Sequence, residues 1–142
     1  MFLNSLNIAG SGLTAQRLRI DVVSQNLANV DTTNGAGVDP YRRKTVTFEE
    51  RTQTTFKGYL DKYTGQPGGV SVKSIGEDPT DFKLEFDPTN PVAAADGYVR
   101  LPNVDTVTEM TDLLESSKAY TANVTAFNTL KNISNGALNI GR

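Results

Sequence analysis

The stretch that decides the fold is LNIAGSGLTAQRLRIDVVSQNLANV, residues 6–30, in which leucine or isoleucine recurs every seven residues. That row consists of Leu6, Leu13, Ile20 and Leu27. A second row, offset by three residues, consists of Phe2, Ala9, Gln16, Val23 and Val30. Two such rows form the apolar seam of a helix that packs on a partner. We therefore expect a helix over about residues 4–30, ended by the turn-forming residues from Asp31 onward.

The other end of the chain repeats this design. Pro102 and Asn103 precede Thr106-Val107-Thr108-Glu109, which has the spacing of a capping box. In such a box the Thr hydroxyl and the Glu carboxylate bind the first free backbone N–H groups of a helix. The apolar positions that follow predict a second helix of roughly 35 residues. Its seam residues are Met110, Leu113, Tyr120, Val124, Phe127, Leu130 and Ile133.

The middle of the chain contains short segments that alternate apolar and polar residues around Val46, Val70 and Leu84. This pattern fits a small β unit or an extended arm. The predicted fold class is mainly α with a small β-rich middle (α+β), in which the N- and C-terminal helices pair as a coiled-coil-like hairpin. The predicted division is an N-terminal helix in residues 1–32, a loop and β-rich middle in 33–103, and a C-terminal helix in 104–142.

Composition excludes several classes of function. The 142 residues include no cysteine and no histidine, which removes disulfides, thiolate nucleophiles and Cys/His zinc sites. The formal net charge of -2 disfavours nucleic acid as the main partner, because phosphate binding needs a basic surface. We expect no catalytic residue, no cofactor and no metal site. The single basic cluster is Arg42-Arg43-Lys44. It fits a contact with an acidic neighbouring subunit or with a membrane headgroup, although a solvated loop is favoured.

The faces opposite the two seams carry small uncharged polar side chains instead of Lys, Glu and Arg. In the first helix these are Asn4, Ser5, Ser11, Thr14, Ser24, Asn26 and Asn29, and in the second Ser116, Thr121, Asn123, Thr125, Asn128, Thr129 and Asn132. Such groups lower the desolvation cost of burial and still hydrogen-bond to a neighbour. We expect other subunits to pack there, leaving the lone monomer partly disordered at both ends. The alternative is a self-contained helical hairpin capped by a β domain.

Targeting signals are weak in this sequence. The first basic residue is Arg17, and Asn4, Ser5 and Asn7 interrupt any apolar core, so the start of the chain does not resemble a Sec signal peptide. No run approaches the ~20 apolar residues of a membrane span. These features predict a cytoplasmic chain unless a route that reads no cleavable signal exports it.

Both ends resemble one protein family. Residues 24–32, SQNLANVDT, resemble the S-x-N-(L/I)-A-N-x-x-T signature of bacterial flagellar rod and hook proteins, and residues 109–123 resemble their C-terminal E-M…Y-x-A-N motif. The matching positions are Ser24, Asn26, Ala28, Asn29, Thr32, Glu109, Tyr120, Ala122 and Asn123. The Gly-rich loop at 33–40, the Gly97–Asp105 stretch and the short middle are similar to proximal-rod members of this family.

The resemblance implies a structural subunit of the flagellar proximal rod that polymerises through its terminal helices into an axial drive shaft and export channel. Its expected partners are copies of itself, other flagellar rod proteins and the flagellar type III export apparatus, with no nucleic acid and no small-molecule substrate. The expected location is the basal body, in a rod spanning the periplasm, after export without a cleaved signal peptide. The alternatives are another axial protein, distal-rod or hook-related, and a periplasmic glycan hydrolase with its carboxylates in residues 39–103.

Overall fold

A computed structural model describes residues 2–33, 38–51 and 68–140, so residues 34–37 of the Gly-rich loop lie outside the described residues. The elements in chain order are α1 (Phe2–Ala28), β1 (Lys44–Glu50), β2 (Val70–Glu77), β3 (Lys83–Phe86), β4 (Tyr98–Leu101) and α2 (Thr106–Ile140). The strands form two antiparallel two-stranded sheets, β1–β2 and β3–β4. The α+β class and both terminal helices are confirmed, and the middle contains β structure rather than an extended arm.

The two helices pack side by side and run in opposite directions. Near the end of α1, Asn26 donates a hydrogen bond to Glu109 at the beginning of α2, over 2.9 Å. Further back along α1, a Cβ atom added at Gly12 would lie 3.1 Å from the amide of Asn123. Continuing this register places the start of α1 beside Ile133, and the described side chains of α2 beyond Ser134 are all exposed.

The buried residues of the two helices are mostly small or polar. The buried positions in the two helices are Ala9, Ala15, Val22, Val23 and Asn26 of α1 together with Glu109 and Ser116 of α2. The prediction that Asn26, Ser116 and Asn123 lie opposite the helix contact is therefore wrong. Small side chains allow two helix axes to approach closely, and the few polar groups among them find partners across the contact.

The β1–β2 ribbon lies along α1 and is attached to it at both ends. The Asn26 side chain exchanges two hydrogen bonds with the Lys44 backbone at the start of β1. At the other end, the Val70 N–H donates to the Ser11 hydroxyl over 3.0 Å. Ser11 and Asn26 are about 22 Å apart along the helix, and β1 spans about 20 Å. The two lengths match, so both attachments are made without bending α1.

The N-cap of α2 is Asp105, not Thr106 as the capping-box prediction placed it. One Asp105 carboxylate oxygen accepts hydrogen bonds from the N–H and the hydroxyl of Thr108, each over 2.9 Å. These two bonds lower the pKa of Asp105 below its usual value. The cap thus uses an Asp-x-x-Thr spacing, which leaves the Glu109 carboxylate free to face α1.

Candidate assembly site

The side chain of Asn26 is completely buried and completely hydrogen-bonded. Its amide nitrogen donates to the Lys44 carbonyl over 2.8 Å and to Glu109 over 2.9 Å. Its amide oxygen accepts from the Lys44 N–H over 2.9 Å and from the Tyr41 hydroxyl over 2.8 Å. An asparagine amide provides two donors and an oxygen that accepts twice, and all of this capacity is used here. Asn26 therefore connects α1, the start of β1 and α2 at one point.

Glu109 and Arg43 form a buried ion pair beside Asn26. The Glu109 side chain is 0% exposed, and its second oxygen accepts a hydrogen bond from Arg43 Nε over 2.6 Å. The other guanidinium nitrogens of Arg43 contact Asp78 and Asp112, and Asp112 also pairs with Arg19 over 3.0 Å. A buried carboxylate is tolerated when it is paired and hydrogen-bonded in this way. Arg43 thus links the middle of the chain to α2.

The pKa values in this cluster favour the protonation states that the hydrogen bonds require. Burial, and then the charge of Glu109, raise the pKa of Tyr41, so its hydroxyl remains a donor to Asn26. Burial alone would lower the pKa of Arg43, but the hydrogen bond and charge of Glu109 outweigh it and raise that pKa. Arg43 therefore remains charged at neutral pH.

Asn103 fixes the backbone on both sides of this cluster. Its side-chain oxygen accepts a hydrogen bond from the Arg43 N–H over 2.7 Å. Its nitrogen donates to the carbonyls of Asp78 and Thr80. The Asp78 carboxylate accepts a hydrogen bond from the Thr80 N–H. The hydrogen bonds from Thr80 lower the pKa of Asp78. Asn103, just ahead of α2 in the chain, consequently holds the backbone at Arg43 and Asp78 in place.

The basic cluster Arg42-Arg43-Lys44 is not the solvated loop that composition favoured. The guanidinium of Arg42 lies 4.3 Å from the ring centroid of Phe82 and donates to the Asp78 carbonyl. The Lys44 ammonium donates to the Gln25 side chain over 3.1 Å. All three cations thus have partners within the chain. Sequence reasoning missed this because their partners are far away along the chain, where no spacing pattern connects them.

The predicted seam residues occupy different degrees of burial in the single chain. Ala9 and Val23 are buried; Leu6, Leu13, Ile20, Leu27, Leu113, Tyr120, Val124, Phe127 and Leu130 are half-buried; Met110 and Ile133 are exposed at 53% and 57%. Most of these side chains therefore retain apolar surface that the single chain does not cover. Their role in assembly stays a prediction.

The family-motif residues divide into three groups. Asn26 and Glu109 form the buried cluster, and Asn123 lies against Gly12. Asn29 and Thr32 terminate α1, where the Thr32 hydroxyl donates to the Asn29 carbonyl over 2.8 Å. Tyr120 is half-buried, whereas Ser24, Ala28 and Ala122 are exposed. The motif therefore marks two structural sites in this chain, the cluster around Asn26 and the end of α1.

Two apolar surfaces of the described residues are exposed. One is a stripe on the outer face of α2 formed by Val107, Met110 and Leu114. The other is the face of the β3–β4 sheet with Leu84, Phe86 and Tyr98, where the two aromatic rings meet edge to face at 5.2 Å. Contiguous exposed apolar side chains mark contact surfaces. Neither α1 nor α2, the helices in the described part of the chain, has the length and apolar content to cross a membrane.

Comparison with family models assigns the two ends of the chain to one class. The model described as "Flagella basal body rod protein" matches residues 6–36, which include Asn26. The model described as "Flagellar basal body rod FlgEFG protein C-terminal" matches residues 95–140, which include Glu109 and Asp112. The class that this helical pair and its buried cluster define is therefore that of flagellar basal-body rod proteins. Arg43 lies between the two matched blocks.

Comparison with individual proteins identifies the family within this class. The chain is 48% identical to the flagellar basal-body rod protein FlgC of Bacillus subtilis (strain 168), over 98% of this chain and 97% of the relative. It is 46% identical to FlgC of Borreliella burgdorferi, over 96% of this chain and 95% of the relative. It is 41% identical to FlgC of Salmonella typhimurium, over 99% of this chain and 98% of the relative. The chain belongs to the FlgC family of flagellar basal-body rod proteins.

Proposed function

We propose that this chain is a structural, non-enzymatic subunit of the flagellar proximal rod. It polymerises through α1 and α2 with copies of itself and other flagellar rod proteins, and the polymer is the axial drive shaft and export channel. The observation that carries this proposal is the incomplete cover of the helices. Each helix buries a narrow strip against the other, and the apolar seam residues beside that strip stay half-exposed.

The small size of the buried core supports this proposal. Among the described residues, the buried apolar side chains are Ala9, Ala15, Val22, Val23, Val99 and Val104. None of them is larger than valine. Ordering a backbone costs about 1–2 kcal/mol for each residue, and apolar burial is the main term that offsets it. Two long helices with so small a core need contacts from neighbouring subunits to remain ordered along their whole length.

The arrangement also supports a division of roles along the chain. We infer that residues 1–32 and 104–142 form the inner tube, where their seams complete a coiled-coil-like packing with neighbouring helices. Residues 33–103 form the outer part, which presents the exposed β3–β4 face to adjacent subunits. The β1–β2 ribbon, attached to α1 at Ser11 and Asn26, connects the two parts rigidly.

The absence of cysteine and the small core bear on how the chain is delivered to the rod. We infer export by the flagellar type III apparatus, without a cleaved signal peptide, into a rod that spans the periplasm. A chain with no cysteine forms no disulfide on crossing into an oxidising compartment. A core built from alanine and valine side chains also unfolds at low cost, which suits passage through a narrow channel.

The alternatives have less support. A distal-rod or hook-related identity does not account for relatives of the FlgC family that match nearly the whole chain. A glycan hydrolase needs one carboxylic acid with a raised pKa. Asp78, Asp87 and Asp105 instead have lowered pKa values, mainly because of hydrogen bonds from nearby threonines. The buried carboxylate of Glu109 is engaged by Arg43 and Asn26.

The proposed function is tested in the bacterium that encodes the chain. Deleting its gene is expected to abolish swimming and to leave basal bodies without a complete rod, and plasmid-borne wild type restores both. A Lys73→Met variant, which replaces an exposed lysine of β2 outside both helices and outside the β3–β4 face, serves as a matched control and also restores both. Purified basal bodies examined by mass spectrometry and electron microscopy provide the measurement. Complete rods formed without the chain would overturn the proposal.

A further inference from the structure

We propose that Asn26, Arg43 and Glu109 form a register lock, a buried polar cluster that selects one lengthwise alignment of α1 on α2. The cluster joins three segments, because Asn26 belongs to α1, Arg43 to the loop before β1, and Glu109 to α2. This role goes beyond assembly into a rod, since it concerns which alignment a single chain adopts.

The apolar seam cannot select an alignment by itself. Its α1 row, Leu6, Leu13, Ile20 and Leu27, repeats every seven residues. Sliding one helix by seven residues, about 10 Å, therefore brings an equivalent side chain to nearly the same place. In repetitive helical seams a buried polar residue is the usual device that specifies one register. The long connection between Ala28 and Thr106 does not provide a short loop that would fix the alignment instead.

The polar cluster, in contrast, fits only one alignment. Glu109 accepts one hydrogen bond from Asn26 and one from Arg43, and both Asn26 and Glu109 are 0% exposed. A seven-residue slide in one direction moves Glu109 past the end of α1. A slide in the other direction brings Glu109 beside Arg19 but leaves Arg43 with Asp78 as its acidic partner. Either slide leaves buried polar groups without hydrogen bonds, which is costly.

The middle of the chain supplies the third member of the lock and fixes its position. The Arg43 N–H donates to Asn103, and the neighbouring Lys44 backbone is paired with Asn26. The backbone at Arg43 is therefore fixed relative to α1, and from this position the Arg43 side chain reaches Glu109. The alignment of the helices depends on this docked segment, so every folded chain presents the same helix alignment to its neighbours.

Disulfide trapping tests the lock directly, because the natural chain has no cysteine to interfere. A Gly12→Cys/Asn123→Cys chain reports the observed alignment, in which these positions touch. A Gly12→Cys/Ser116→Cys chain reports the slid alignment that places Glu109 beside Arg19. In the observed alignment position 116 is seven residues, about 10 Å, from 123, too far for a disulfide with position 12.

Both cysteine reporters are placed in the purified full-length chain and in a lock variant, Asn26→Leu/Arg43→Met/Glu109→Leu. These substitutions replace polar side chains by apolar ones of similar size. After oxidation in a glutathione buffer, mass spectrometry measures the two disulfide yields. We expect the ratio of the 12–123 yield to the 12–116 yield to fall at least about tenfold in the lock variant, equivalent to about 1.4 kcal/mol. The same reporters with Arg100→Met are expected to keep the wild-type ratio.

An unchanged ratio in the lock variant overturns the proposal, as does a wild-type chain that forms neither disulfide. If the triple variant forms neither disulfide, the same two reporters are placed in a Glu109→Gln chain, which then provides the test. It keeps the side-chain shape and removes the charge that Arg43 binds, and the proposal requires a severalfold fall in the same ratio. The measurement uses the purified chain, so its outcome is independent of rod assembly. A shifted ratio in a chain absent from rods would refute the proposed function alone.

Discussion

Replacing Glu109 by alanine lowers the free energy of unfolding by about 3 kcal/mol, because the substitution leaves Arg43 and Asn26 without their shared acceptor. Glu109 is completely buried, whereas the Arg43 side chain keeps 21% exposure, so water compensates part of the loss. Urea denaturation of the purified chain, followed by circular dichroism at 222 nm, measures the change. Loss of this size is a large fraction of the stability of an ordinary domain.

A matched control and a double variant make this expectation specific. Glu115→Ala removes an exposed carboxylate from the same helix and is expected to change the free energy of unfolding by less than about 0.5 kcal/mol. The double variant Arg43→Met/Glu109→Leu replaces both charges by apolar side chains and is expected to lose less than Glu109→Ala alone. A Glu109→Ala chain as stable as the wild type would show that the ion pair contributes nothing.

A single aspartate on either seam, Ile20→Asp or Val124→Asp, is expected to abolish incorporation into rods. Both side chains are half-buried in the single chain, and we expect neighbouring helices to cover the rest. An unpaired carboxylate buried at such a contact costs several kcal/mol. The variants are expressed in the deletion strain, and the fraction of chain recovered in purified basal bodies is measured together with swimming.

The control for this experiment is Ser74→Asp, which places the same charge on an exposed position of β2, outside both helices. It is expected to incorporate at the wild-type level. Circular dichroism of the purified variants separates a failure to assemble from a failure to fold. Wild-type incorporation of Ile20→Asp or Val124→Asp would contradict the assignment of these positions to an assembly contact.

The sequence predicted the helices well because their signals are local. Seven-residue apolar periodicity and the absence of internal proline predict α1 and α2 to within two residues at the ends that the structure defines. The strand Tyr98–Leu101 was missed, since four residues without clear alternation carry little signal. The cap was misplaced by one residue because Asp105 and Thr106 both have capping side chains, and only the contact of Glu109 with α1 decides between them.

The site was less predictable because its contacts join residues far apart in the chain. The family motif singled out Asn26 and Glu109, but it provided no role for either. Arg43 looked like part of a solvated basic cluster, and its partners Asp78 and Asp112 lie outside any local pattern. The helix contact was assigned from the largest apolar residues, whereas Asn26 and Glu109 meet across it and Ser116 is buried. Burial of small and polar residues is decided by tertiary packing, which periodicity does not show.

The central claim is that both helices carry surface that becomes buried only when subunits assemble. Amide hydrogen exchange, measured by mass spectrometry on the verified monomer and on purified rods, tests it most directly. We expect fast exchange in the monomer at residues 2–8 and 127–140, slower exchange near the register lock, and strong protection of both ends in rods. Equal protection of both ends in monomer and rod would contradict the account and favour a self-contained helical hairpin.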